Sequence, residues 1–168
     1  MSREISKTKR IGIMAMFISV GLVLQYAESR LIVTNVPGGK LGLANVVSII
    51  NIFMFGGGNA LVIASLRAVL GCLFSGGLTA LPYSLAGAFF STLAMCGIKK
   101  LFYPKVSMIG ISVTGAAVHN LAQISVASVV FSSGYVFSYL PVLLIVATVS
   151  GIATGYAAEL IYGKLQLH

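Results

Sequence analysis

Six apolar stretches succeed one another along the chain, over residues 11–33, 41–55, 59–74, 81–98, 107–131 and 137–162. Crossing a bilayer as an α-helix takes about 20 predominantly apolar residues. The stretches therefore read as membrane spans. The expected fold class is all-α, a polytopic membrane protein whose residues 1–168 form one integral membrane domain, a six-transmembrane-helix bundle. The breaks between them carry turn chemistry: Thr34-Asn35-Val36-Pro37-Gly38-Gly39-Lys40, then Gly56-Gly57-Gly58, then Ser75-Gly76-Gly77.

The second and third stretches are shorter than a bilayer requires. Their glycine-rich ends could complete the crossing as irregular backbone shielded by protein. Shortened, glycine-interrupted spans often mark where a transporter binds its substrate; the alternative is a small protein with short helices. The first stretch follows a basic leader, as a signal sequence would, but it is long for one and equally apolar segments follow it. It reads as a retained helix.

Composition agrees with this pattern. Hydrophobic residues make up 58% of the chain and charged residues 8%, against about 25% charged in soluble domains; mean hydropathy is +1.01. The net charge of +8 is not spread as a basic stripe interleaved with aromatics, so nucleic acid is not an expected partner. With the N-terminus inside, Arg3, Lys7, Lys9, Arg10, Lys99, Lys100, Lys105 and Lys164 face the cytoplasm. Only Arg30 and Lys40 lie outside, and Arg67 falls within a span. The positive-inside rule thus predicts a cell-membrane protein with both termini cytoplasmic.

Acids are scarce: Glu4, Glu28 and Glu159, with no aspartate. The chain has no triad carboxylate beside a nucleophile, no zinc-spaced His/Cys cluster and no aspartate-rich magnesium site. A self-contained enzyme is not expected, nor a bound metal or cofactor. Cys72 and Cys96 occupy different spans and read as packing residues.

Polar groups inside the spans are the candidates for function. Arg67 sits mid-span, where a charge costs about 2.5–3.5 kcal/mol on insertion scales. It shares a face with Ala60, Ala64 and Gly71, so it faces other helices. It reads either as an anion- or carbonyl-binding group in a central cavity or as an arginine satisfied by backbone carbonyls. His119, Asn120 and Gln123 form a second cluster, either ligand-binding or a hydrogen-bonded bundle contact. Asn45, Ser48 and Asn51 recur at three-residue steps, and Gln25 and Glu28 share a side of the first span. Glu28 could pair with Arg30, Lys40 or Arg67. The expected substrate-binding set is Arg67, Asn45, His119, Asn120, Gln123 and Asn51, with Lys40 and Glu28 near a loop gate. Few aromatics adjoin these clusters, which disfavours a purely stacked flat ligand; Tyr26, Tyr83 and Tyr139 lie near the outer side.

Several segments carry a family resemblance. Lys40-Leu41-Gly42-Leu43-Ala44-Asn45, the third-span arginine followed by Gly71, Ser84-Leu85-Ala86-Gly87, Gly115-Ala116-Ala117-Val118-His119-Asn120-Leu121-Ala122-Gln123 and Tyr139-Leu140-Pro141 resemble the membrane family labelled heptaprenyl diphosphate synthase component I, also called Gx transporters. That family is similar in size and helix count to the substrate-binding S components of energy-coupling factor (ECF) transporters. The resemblance implies a small vitamin- or cofactor-like substrate bound near the outer face, with a membrane scaffold subunit and cytoplasmic ATPases as partners. It also implies that Ala15 and Ser19 meet the scaffold, where S components carry Ala-xxx-Ala. The family label offers an alternative, a non-catalytic membrane subunit of an isoprenoid- or quinone-related enzyme or redox system. In that case a partner would supply the aspartate-rich site.

Overall fold

The computed structural model describes residues 7–31, 44–74 and 77–166. Among these residues six α-helices run in order: α1 (Lys7–Leu31), α2 (Ala44–Phe55), α3 (Gly57–Phe74), α4 (Leu81–Phe102), α5 (Met108–Val130) and α6 (Leu140–Gln166). Short 3-10 helices at Leu78–Ala80 and Gly134–Tyr139 lead into α4 and α6. No strand occurs among the described residues. Five of the helical segments are long and apolar enough to cross a membrane, whereas α2 has only 12 residues. The protein is thus an all-helical, multi-pass membrane protein.

Local chemistry sets the helix limits. Gly56, at φ +80°, separates α2 from α3 in a conformation that costs glycine little. Pro82 stands in the first turn of α4, where its missing N–H is not needed. Ser107 caps α5, its hydroxyl accepting from the Gly110 N–H at 3.3 Å. Several boundaries differ from the hydropathy pattern by a few residues, α1 starting at Lys7 and α6 ending at Gln166. Residues 137–139 belong to the 3-10 helix before α6, and α4 continues past Ile98 to Phe102. Lys99 and Lys100 therefore form its last turn, where cations complement the helix dipole.

α2 is the hub. It packs against all five other helices, which otherwise contact one another in the series α1–α3–α4–α5–α6. Nine consecutive residues, Ala44 to Ile52, are buried. The most extensive packing is between α5 and α6 and between α4 and α5. At the α5–α6 contact a Cβ on Gly151 would lie 2.7 Å from Val113 Cα, and one on Gly155 2.6 Å from Ile109 Cα. The missing side chains let the two backbones touch, as small residues do in membrane helices. Large apolar side chains such as Val129, Ile145 and Leu160 are exposed outward, which suits a hydrocarbon solvent.

Basic residues gather at one end. Lys99 Nζ donates to the Ile52 carbonyl at 2.9 Å and lies 4.2 Å from the Phe53 ring centre. Phe53 also meets Tyr103 edge-to-face and Tyr162 at a tilt. Arg10 and Asn59 donate to the Phe55 carbonyl at 3.4 and 2.8 Å. The amino end of α1 and the carboxyl ends of α2, α4 and α6 therefore meet there. The carboxyl end of α2 is covered by groups that suit its partial negative charge.

Candidate functional site

Around the carboxyl half of α2 the bundle is solid. Ile49, Ile50 and Ile52 pack with Phe17, Met95, Met108 and Ile111 in one apolar core. At the other end of α2 the packing opens. Ala44 and Asn45 line a cavity of ≈ 40 Å³. Every helix brings a polar side chain to it: Gln25 and Glu28 from α1, Asn45 from α2, Arg67 from α3. From the remaining three come Ser84 of α4, His119 and Asn120 of α5, and Ser150 of α6.

Glycines on facing helices make room for the largest of these groups. A Cβ on Gly21 would fall 2.6 Å from Arg67 Cδ, and one on Gly87 2.8 Å from His119 Cε1 and Nε2. Gly71 abuts the Gln25 amide. On the α3–α4 side, Ala64, Ala68 and Ala88 pack closely and keep the wall thin. The cavity is therefore built by small residues as much as by the polar ones.

Arg67 is 5% exposed and Glu28 4% exposed, and both line the cavity. Arg67 Nη1 donates to Gln25 Oε1 at a long 3.4 Å, while Arg67 Nε has no hydrogen-bond partner among the described residues. A buried donor left unmade costs about 1–3 kcal/mol or more when charged. Asn120 is committed in part to structure, its amide donating to the Leu143 carbonyl at 2.9 Å.

A second, larger space of ≈ 940 Å³ adjoins this one on the side away from the basic end. Tyr83, Phe131, Tyr135 and Tyr139 supply its aromatic surface, with Ile124 and Leu143 beside them; the space is open-sided, since Phe131, Tyr135 and Tyr139 are exposed. Ser84 borders both spaces. Gln123 lines the larger one, and its Oε1 is buried with no hydrogen-bond partner among the described residues.

The structure thus brings together five of the expected residues, Arg67, Asn45, Glu28, His119 and Asn120, at one cavity. Gln123 stands next door. Asn51 does not belong: it is fully buried in the solid half, its amide bonded to the Val47 carbonyl at 2.8 Å. Six residues along α2 displace it by about 9 Å from Asn45. Lys40 and Arg30 lie outside the described residues and side chains. Ala15 and Ser19 are exposed on α1, the Ser19 hydroxyl bonded to the Ala15 carbonyl at 3.0 Å. No Phe or Tyr among the described residues lines the polar cavity, as the scarcity of aromatics beside the polar clusters predicts; the aromatics line the adjoining space, beside Gln123. Tyr83 and Tyr139 are among them, but Phe131 and Tyr135 were not among the sequence candidates. Their only sequence signal is the aromatic run between the last two spans. No group of three His, Cys, Asp or Glu side chains that could hold a metal occurs among the described residues.

No curated protein and no solved structure matches the chain. A family model, described as heptaprenyl diphosphate synthase component I, matches residues 17–161. That span contains every residue that lines the cavity, and on it the chain belongs to the heptaprenyl diphosphate synthase component I family, also called the Gx transporter family.

Proposed function

We propose that this protein is the substrate-binding (S) subunit of an ECF-type uptake transporter for a small vitamin- or cofactor-like molecule, and not an enzyme. All six helices would span the cell membrane, with both termini cytoplasmic. The cavity would then face outward. A membrane scaffold subunit and cytoplasmic ATPases would drive release of the cargo. One observation carries the reading: six helices each direct a polar side chain to a single cavity, although polar groups in a membrane helix are costly. The enclosure lies away from the basic end, which the positive-inside rule assigns to the cytoplasm. The chain also has no aspartate and no phosphate-binding Gly-rich Lys-Ser/Thr loop, so energy would come from partners. The exposed Ala15–Ser19 face of α1 is the proposed contact with the scaffold.

The test is a thermal-stability screen of purified protein in lipid nanodiscs against vitamin-like, flavin, quinone-precursor and haem-like compounds. A ligand at 100 times its Kd stabilises by about 2.7 kcal/mol, which is readily detected. Stabilisation by at least one compound, abolished by Asn45→Trp, is expected; no response to any compound would count against the proposal.

The family description favours a second reading, a non-catalytic membrane subunit of an isoprenoid- or quinone-related enzyme or redox system. Co-purification from native membrane separates the two. Scaffold and ATPases are expected on the first reading, a synthase or reductase on the second.

A further inference from the structure

The substrate of this site is constrained by its charge balance, its two sizes and its unmet hydrogen bonds. Arg67 and Glu28 are the only charged side chains lining the inner cavity among the described residues. They are of opposite sign, and both are buried. Adding a third, net charge at low dielectric would unbalance them, and burying an unpaired ion is far costlier than burying a neutral polar group. A neutral head is favoured.

Size divides the ligand into a head and a body. The inner cavity of ≈ 40 Å³ is small beside the outer space of ≈ 940 Å³, so it takes a small polar group and not the bulk of a ligand. The outer chamber of ≈ 940 Å³ holds the body of a drug-sized molecule, and its lining is apolar and aromatic.

Two unmet atoms fix the pattern of the head. Arg67 Nε is a buried donor that needs an acceptor. Gln123 Oε1 is a buried acceptor that needs a donor. Ser84 borders both spaces, and one turn further along α4 a Cβ on Gly87 would meet both His119 and Gln123. A single ligand can therefore lie across the seam. The geometry points to an uncharged, largely apolar substrate that presents a carbonyl to Arg67 and a neighbouring N–H or O–H to Gln123, with its ring or chain body against Tyr83, Phe131 and Tyr139. This inference rests on the substrate-binding reading above and narrows it to a chemical class.

A matched probe series tests it: 2-naphthamide, 2-naphthoate, 2-methylnaphthalene and acetamide. Binding to the full chain in nanodiscs is measured by saturation-transfer NMR, with empty nanodiscs as the blank. The amide is expected to bind at least tenfold more tightly than the isosteric carboxylate and than the headless hydrocarbon. Arg67→Lys, which keeps the charge but removes Nε, should erase the amide's advantage over 2-methylnaphthalene. Phe131→Ala should weaken every naphthyl probe and leave acetamide unchanged. The wild-type comparison stands even if a variant fails to fold. Tighter binding of naphthoate than naphthamide overturns the neutral-head inference while leaving a substrate-binding subunit intact, and equal binding of amide and hydrocarbon does the same. If neither these probes nor the vitamin-like screen gives saturable binding, the functional reading falls with it.

Discussion

At the scale of single residues, Arg67 and Glu28 are buried charges of opposite sign lining one cavity. Removing one of two buried opposite charges leaves the other less compensated, at a cost of up to about 3–5 kcal/mol. Arg67→Gln is therefore expected to destabilise the bundle by that order in a detergent unfolding titration. The double variant Arg67→Gln/Glu28→Gln should recover a substantial part of the loss, which additive losses would contradict. The glycines give a second contrast. A methyl at Gly87 must displace the His119 ring and should cost about 1–3 kcal/mol. At Gly97 nothing lies within 4 Å, so alanine there should be neutral or stabilising by about 0.5–1 kcal/mol. Equal effects at both positions would mean that Gly87 does not cradle the histidine. Much of this was legible in the sequence, because a charge or amide inside an apolar run is conspicuous: Arg67, Glu28, Asn45, His119 and Asn120 all stood out. Asn51 stood out for the same reason and misled, because three-residue steps along a helix share a face without sharing a depth.

At the scale of helices, α2 organises the molecule although it is the shortest of the six. Twelve residues rise about 18 Å, against about 30 Å of bilayer hydrocarbon. Its carboxyl half fills the centre of the bundle, and its amino end meets the cavity. Lys99 holds the other end through the Ile52 carbonyl and the Phe53 ring. Lys99→Ala is expected to cost about 1–2 kcal/mol, and Lys99→Arg less, in the same unfolding assay. The α5–α6 contact should be less forgiving still. Gly155→Ala sets a methyl against backbone atoms of Ile109, so it should destabilise more than Gly87→Ala, which meets a side chain able to turn. The shortness of the second stretch was plain from hydropathy, but its central position was not. Hydropathy records how apolar a helix is, and both lipid and protein interiors satisfy an apolar helix.

At the scale of the whole molecule, one end is basic and packed, and the other carries two adjoining spaces of different polarity. Single cysteines replacing Lys105 and Ser133 in a background lacking Cys72 and Cys96 test the orientation with a membrane-impermeant thiol reagent. Labelling of residue 133, and not 105, in intact cells is expected; the reverse would invert the topology and close the outward-facing reading. The aromatic chamber was the feature least visible in the sequence. Tyrosine and phenylalanine at span ends ordinarily read as a membrane-interface belt. Only the fold gathers Tyr83, Phe131, Tyr135 and Tyr139 from separate segments around one space.

The central claim is that the cavity holds a small molecule, and native mass spectrometry of the protein purified from its own membrane tests it most directly. The account predicts one small-molecule adduct per chain, not a lipid, that is absent from a folded Ser84→Trp variant in which the seam between the two spaces is filled. A wild-type chain carrying no adduct, or one whose adduct persists unchanged in Ser84→Trp, would contradict it.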